Sequence, residues 1–113
     1  RDLVRSRGLG DVYKRQASDV GTKVCAAVSG VVVDVAENTE TGLTVRVAAG
    51  NGYEMTTGML SDVNVKIGDT VTAGQLLGTV AEPTAYYKEE GPGIYFAMTK
   101  DGIPVNPMDY LGE

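Results

Sequence analysis

Short β-branched runs, each cut off by a glycine-bearing turn, constrain this chain more than any other feature. Val31, Val33 and Val35 alternate with Val32, Asp34 and Ala36, so one face is apolar throughout and the other is partly polar. Leu43, Val45 and Val47 repeat the alternation against Thr44 and Arg46. That period of two suits a half-buried strand and not a helix. Gly50-Asn51-Gly52 accepts the positive φ values of a tight hairpin, with Tyr53 to Thr57 as the returning strand. Val24 to Val28 reads as an earlier strand and Ile94 to Thr99 as a later one. Between them, Val63 to Val80 carries the turns Gly68-Asp69 and Ala73-Gly74, each ahead of a short β run. Glu82 to Gly93 breaks the pattern with Pro83, Tyr86, Tyr87, the charged run Lys88-Glu89-Glu90 and Gly-Pro-Gly, and predicts a surface loop. The expected fold class is all-β, a sheet sandwich or barrel. At 113 residues there is room for one core only.

Charge divides the chain unequally. Of ten basic residues, Arg1, Arg5, Arg7, Lys14 and Arg15 fall within the first fifteen positions, although the whole chain has a net charge of -5. From Ala17 onward five basic and thirteen acidic residues remain, giving 5 - 13 = -8. A surface of that sign repels phosphate backbones and anionic lipid, which are bound through clustered Lys and Arg. Nucleic acid is therefore not expected as a partner. No stretch approaches the roughly 18 consecutive apolar residues of a membrane-spanning helix.

Residues 1–16, RDLVRSRGLGDVYKRQ, have neither a sustained strand alternation nor an amphipathic helix, and their charge opposes that of the remainder. Their end is similar to translated sequencing adaptor. They are expected to be a non-native or disordered leader, with the domain proper over residues 17–113. They lack the apolar core of a signal peptide. Cys25 has no second cysteine to pair with and no histidine to activate it, and it lies in an apolar run. A buried thiol acting as a small hydrophobe is the expectation there.

Several phrases, in order, resemble the M23 (LytM-type) peptidase family, whose fold is a duplicated hybrid motif. Gly21-Thr22-Lys23-Val24-Cys25-Ala26 and Ser29-Gly30-Val31-Val32 are similar to its opening strand pair, and Gly50-Asn51-Gly52-Tyr53 to its central hairpin. Leu60-Ser61, Val65 to Val71 and Gly74 to Gly78 resemble the stretch before its last catalytic motif. Lys100 to Pro107 is similar to its usual terminus. The resemblance covers Ala17 to Leu111. It implies zinc held by the histidine and aspartate of an H-x-x-x-D segment and the second histidine of H-x-H. The first histidine of H-x-H and one in a Y-x-H-L strand assist. Zinc needs such ligands and one open position for the water it activates.

On this chain the resemblance puts Met59 at the Y-x-H-L histidine, Gly93 and Tyr95 at H-x-H, and, by spacing alone, Asp11 and Arg15 at H-x-x-x-D. The chain contains no histidine at all. The resemblance therefore implies a catalytically inactive member with no metal and no cofactor. Met59 and Tyr95 are expected to pack with Tyr53 in the old site. Either that packing is a filled core, or the tyrosines, with Tyr86 and Tyr87, anchor a partner in the former cleft.

The loop Ala85 to Gly91 is similar to that of a sporulation branch of the family. Members of that branch are membrane-anchored proteins of endospore formers whose extracytoplasmic domain pairs with a ring-building partner. A protein-binding module of the cell envelope, in sporulation or wall remodelling, is the leading expectation, with its membrane anchor upstream. A peptidoglycan-binding domain or an activator of cell-wall amidases is the alternative. A hydrolase with a metal site rebuilt from Asp and Glu is a third reading. A biotinyl or lipoyl carrier shares the turn pattern of Val65 to Val80 but would need a hairpin lysine flanked by methionines, which is absent.

Overall fold

A computed structural model describes residues 2–7 and 11–107, with side chains from Arg15 onward. The described residues form ten strands in order: β1 (Asp2–Arg7), β2 (Asp11–Ala17), β3 (Lys23–Cys25), β4 (Gly30–Asn38), β5 (Gly42–Gly50), β6 (Tyr53–Ser61), β7 (Thr70–Val71), β8 (Leu76–Val80), β9 (Gly93–Lys100) and β10 (Ile103–Val105). One turn of 3-10 helix, Ala85–Tyr87, interrupts the long loop before β9. All ten strands belong to one antiparallel sheet with the path β1-β2-β9-β6-β5-β4-β7. β8 joins the end of β6 through Leu60↔Val80 and Ser61↔Thr79, and β3 pairs with β8, so the sheet folds over itself.

The alternation of Val45 and Val47 carries into the fold, but that of β4 does not: the bulge between Val32 and Asp34 breaks its period, so Val32 is buried while Val31 and Val33, expected on the apolar face, are exposed. In the core, Val32, Val45, Val47, Met55 and Met98 come from the long strands, and Val24, Leu77 and Val80 from the layer folded across them. Each is no more than 3% exposed. Adjacent strands of one sheet must share a face to do this: Val32 is opposite Val47, Val47 opposite Met55, and Met55 opposite Met98. The Gly50-Asn51-Gly52 hairpin forms as expected, with Asn51 at φ 55°. The expected loop over Glu82 to Gly93 contains the additional 3-10 turn.

Other expectations meet a different local structure: the strand expected over Val24 to Val28 runs over Lys23–Cys25, and residues 26–29 turn toward β4. In β3 it is Val24 that points inward, so Cys25 on the opposite face is exposed and is not a buried thiol. In the leader, residues 2–7 and 11–17 are paired strands despite their lack of alternation, and β2 lies along β9 from Tyr13↔Ala97 to Ala17↔Gly93. Ladder bonds are made by backbone, so a segment can pair whatever its side-chain pattern or its origin. Among the described residues no helix is long and apolar enough to cross a membrane.

The burial pattern of β8 supplies a direct test. Leu77 is 1% exposed and Leu76 36%. Leu77→Ala should lower the unfolding free energy by about 2–5 kcal/mol, and Leu76→Ala by about 0.5 kcal/mol, both measured by urea titration.

Candidate functional site

The residues that the family resemblance picks out come together on one patch of the sheet. Arg15 on β2 is opposite Tyr95 on β9, and Tyr95 is opposite Gly58 on β6, next to Met59. Gly93 lies two residues before Tyr95 on the same strand. Three separate segments therefore converge, as the motif assignments require. Asp11, the first residue of β2, lies outside the residues whose side chains are described.

Backbone geometry explains how Met59 reaches this patch. The register between β5 and β6 shifts between Val45↔Thr57 and Leu43↔Leu60, so β6 carries an extra residue there. Met59 takes up the excess at φ 65°, in the left-handed region, which costs a non-glycine residue roughly 1–2 kcal/mol. Its amide donates to the Thr41 carbonyl at 2.7 Å, and its own carbonyl accepts from the Ala81 amide at 2.9 Å. Gly58 beside it leaves no space for a side chain, because a Cβ would come within 2.9 Å of the Thr41 oxygen.

A small second core fills the patch. Met59 and Tyr87 are each 1% exposed, with Tyr95 and Ala97 packed against them. Arg15, 3% exposed, brings its guanidinium in from the β2 side. It donates to the Gly91 carbonyl and lies 5.2 Å from the Tyr87 ring centroid, within cation–π range. Its Nε finds no acceptor among the described residues. Gly93 makes room for it: a Cβ there would lie 3.0 Å from Arg15 Cζ and 2.7 Å from the Gln16 carbonyl oxygen.

Tyr87 arrives on the loop before β9, which is pinned to the β4–β5 turn by a 2.6 Å hydrogen bond from Thr84 Oγ1 to the Glu40 carbonyl. Tyr86, its neighbour, points away and is 47% exposed, with the two rings edge to face at 4.8 Å. Sequence alone does not separate these two, because adjacent residues in a single 3-10 turn have no periodicity to reveal the inward one. Tyr53 is not part of the cluster. It starts β6, about 20 Å along the strand from Met59, where it packs against the main core with Lys100 Nζ 4.9 Å from its ring. Arg15 and Tyr87, which build the cluster, were singled out for other reasons, the first by motif spacing and the second as a partner anchor.

Next to the cluster, an open cleft of about 310 Å³ crosses the outer face of the sheet. Tyr95 and Ala97 line it together with Thr56, Thr44, Arg46, Asp34 and Glu40. Arg46 lies between two carboxylates, 3.9 Å from Asp34 and 3.6 Å from Glu54, all of them well exposed. Such pairs orient the arginine more than they stabilise the fold.

Zinc would need imidazole, carboxylate or thiolate ligands around a position open to water. Arg15, Met59, Gly93 and Tyr95 supply none of these, and a buried guanidinium repels a metal cation. Among the described residues no three His, Cys, Asp or Glu side chains are grouped to hold a metal ion. Among the positions whose side chains are described, the donor set does not fit zinc.

Comparison with known proteins bears on the same patch. The model of peptidase family M23 matches residues 14–107. Stage II sporulation protein Q of Bacillus subtilis (strain 168) is 29% identical over 108 residues, which is 96% of this chain and 37% of that protein. Stage IV sporulation protein FA of the same organism is 32% identical over 80 residues, 71% of this chain and 28% of that protein. The chain thus spans about a third of the length of each relative. Among solved structures, a complex of SpoIIIAH and SpoIIQ superposes with a TM-score of 0.74 at 27% identity, covering 96% of this chain and 78% of the other. The catalytic domain of lysostaphin from Staphylococcus simulans shares the fold, with a TM-score of 0.77 at 23% identity over 100% of this chain and 92% of that one.

The two neighbouring tyrosines should respond very differently to truncation. Tyr87→Ala removes a ring from between Met59 and Arg15 and should cost about 3–5 kcal/mol in thermal or urea unfolding. Tyr86→Ala should cost no more than about 0.5 kcal/mol.

Proposed function

The chain belongs to peptidase family M23, and on that premise we propose that it is a non-catalytic, extracytoplasmic protein-binding module of sporulation or cell-envelope remodelling. One observation carries the proposal. Where the family holds zinc and its assisting histidines, this chain has Arg15, Met59, Gly93 and Tyr95, and a tyrosine from the neighbouring loop packs among them. Hydrolysis by the family route requires a metal-bound water, and these side chains offer neither ligands nor an open position for it. A fold kept without its chemistry points to a use that depends on surface shape.

The relatives suggest which use. SpoIIQ has been solved in complex with SpoIIIAH, in one case as a pore forming complex. By analogy, the partner of this chain is an envelope protein of a sporulating cell, of the ring-forming kind. Tyr86, exposed at the tip of the pinned loop, has the side chain most often found at the centre of such contacts. Tyr87, buried beneath it, supports the loop and does not touch the partner.

The cleft favours a second reading, a domain that holds peptidoglycan without cutting it or that activates cell-wall amidases. Its hydroxyls, carboxylates and single arginine are groups that bind polar chains.

Two measurements test the proposal together. After dialysis against zinc, the protein should retain no stoichiometric metal by elemental analysis and should release no muropeptides from purified cell wall; retained zinc with muropeptide release would overturn it. In calorimetric titration against a SpoIIIAH-type partner, Tyr86→Ala should weaken binding by about 1–3 kcal/mol. Cosedimentation with cell wall and no binding to the partner would favour the second reading.

A further inference from the structure

The sheet is open along β4. Beyond that strand lies only the two-residue β7, which pairs with Gly30 and Val31. The turn before β7 extends the cover by one residue: the Val32 amide donates to the Asp69 carbonyl and the Gly68 amide to the Val32 carbonyl, each at 2.8 Å. From Val33 to Asn38 no described strand lies on that side. Backbone groups directed outward along such a margin are a template for another strand.

Side chains around the margin are of two kinds. Val31 and Val33 are 42% and 36% exposed, and Ile67, in the turn that bonds Val32, is 62% exposed. This is an apolar cluster at the start of the open edge. Residues 30–42, β4 and the turn after it, contain Asp34, Glu37 and Glu40 and no lysine or arginine. The register also fixes the faces. Val35 is opposite Val45 and packs on the core, whereas Asp34, opposite Arg46, lies on the cleft face.

We propose that this open edge accepts a strand from a different protein, an extended segment that alternates basic and apolar side chains and lengthens the sheet beyond β4. It rests on the binding-module function proposed above and names a surface for it. Added at β4, such a segment places every second side chain on the cleft face beside Asp34, the face that Val31 shares. The intervening side chains fall beside Val35, with Glu37 farther along the same face. Main-chain bonds supply affinity and the carboxylates select the partner. A second copy of this chain is disfavoured as the occupant, because antiparallel pairing of β4 with its copy would bring Asp34 and Glu37 against the same carboxylates. The bulge between Val32 and Asp34 also bends the start of the edge, which limits indiscriminate pairing.

The test uses the full chain and two short fluorescein-labelled peptides, one alternating lysine and valine, the other glutamate and valine. Fluorescence anisotropy should give binding of the Lys-Val peptide at least about tenfold tighter than that of the Glu-Val peptide, and weaker at high salt. Amide hydrogen exchange between Val33 and Asn38 should slow in the complex. Glu37→Lys and Val33→Lys, both at exposed positions, should each weaken the Lys-Val peptide about tenfold without lowering Tm. No binding, equal binding to the variants, or protection confined to another strand would overturn the proposal. So would a dimer of the chain that Val33→Lys dissolves, since the occupant would then be a second copy. Failure of the peptide in a protein that neither holds zinc nor cuts cell wall removes only this surface. Zinc-dependent muropeptide release removes the binding-module function itself.

Discussion

The molecule depends on a single residue in an uncommon backbone conformation. β6 has β5 on one side and β9 on the other as far as Gly58, and beyond Met59 it leaves β9 and takes β8. The change of neighbour occurs where Met59 sits at φ 65° and its two backbone bonds run to Thr41 and Ala81. An extended residue at that point would carry β6 straight on, and the β3–β8 layer would lose its attachment to the main sheet. The roughly 1–2 kcal/mol of strain at a non-glycine left-handed residue is small beside the core that this layer covers. The same geometry turns the Met59 side chain onto the patch where β2, β6 and β9 meet, so one backbone feature both joins the layers and builds the site.

Much of the fold was legible in the sequence because alternation and turn chemistry are local. Val31 to Val35, Leu43 to Val47 and Ile94 to Thr99 carry the period of two, and each lies in a strand. What local pattern does not encode was missed. Nothing in the composition around Met59 announces a bulge, since methionine has no preference for positive φ. Cys25 was misjudged because an apolar run of residues does not by itself indicate which face is inward. β2 was invisible because its pairing with β9 uses backbone, and its side chains carry no alternation to read.

The candidate site was legible to a different degree. The family resemblance placed Met59, Gly93 and Tyr95, with Arg15 added by spacing alone, and the structure brings these four together. The inward role of Tyr87 was not readable, because it depends on the path of a loop pinned at Thr84. Chemically, the patch receives an organic cation. A guanidinium asks for carbonyl oxygens and an aromatic face, where a metal asks for lone pairs in tetrahedral array. Gly91 and Tyr87 meet the first demand.

Gly93 lacks the one carbon that would collide with Arg15 and with the Gln16 carbonyl. A histidine placed there alone would meet an occupied site, and an aspartate placed at Arg15 alone would leave Gly93 facing a void. Each change is harmful until the other has occurred, so the two positions are epistatic. Two such positions tolerate change only together: a substitution at one that ignores the other gives a chain that folds less well than either matched pair.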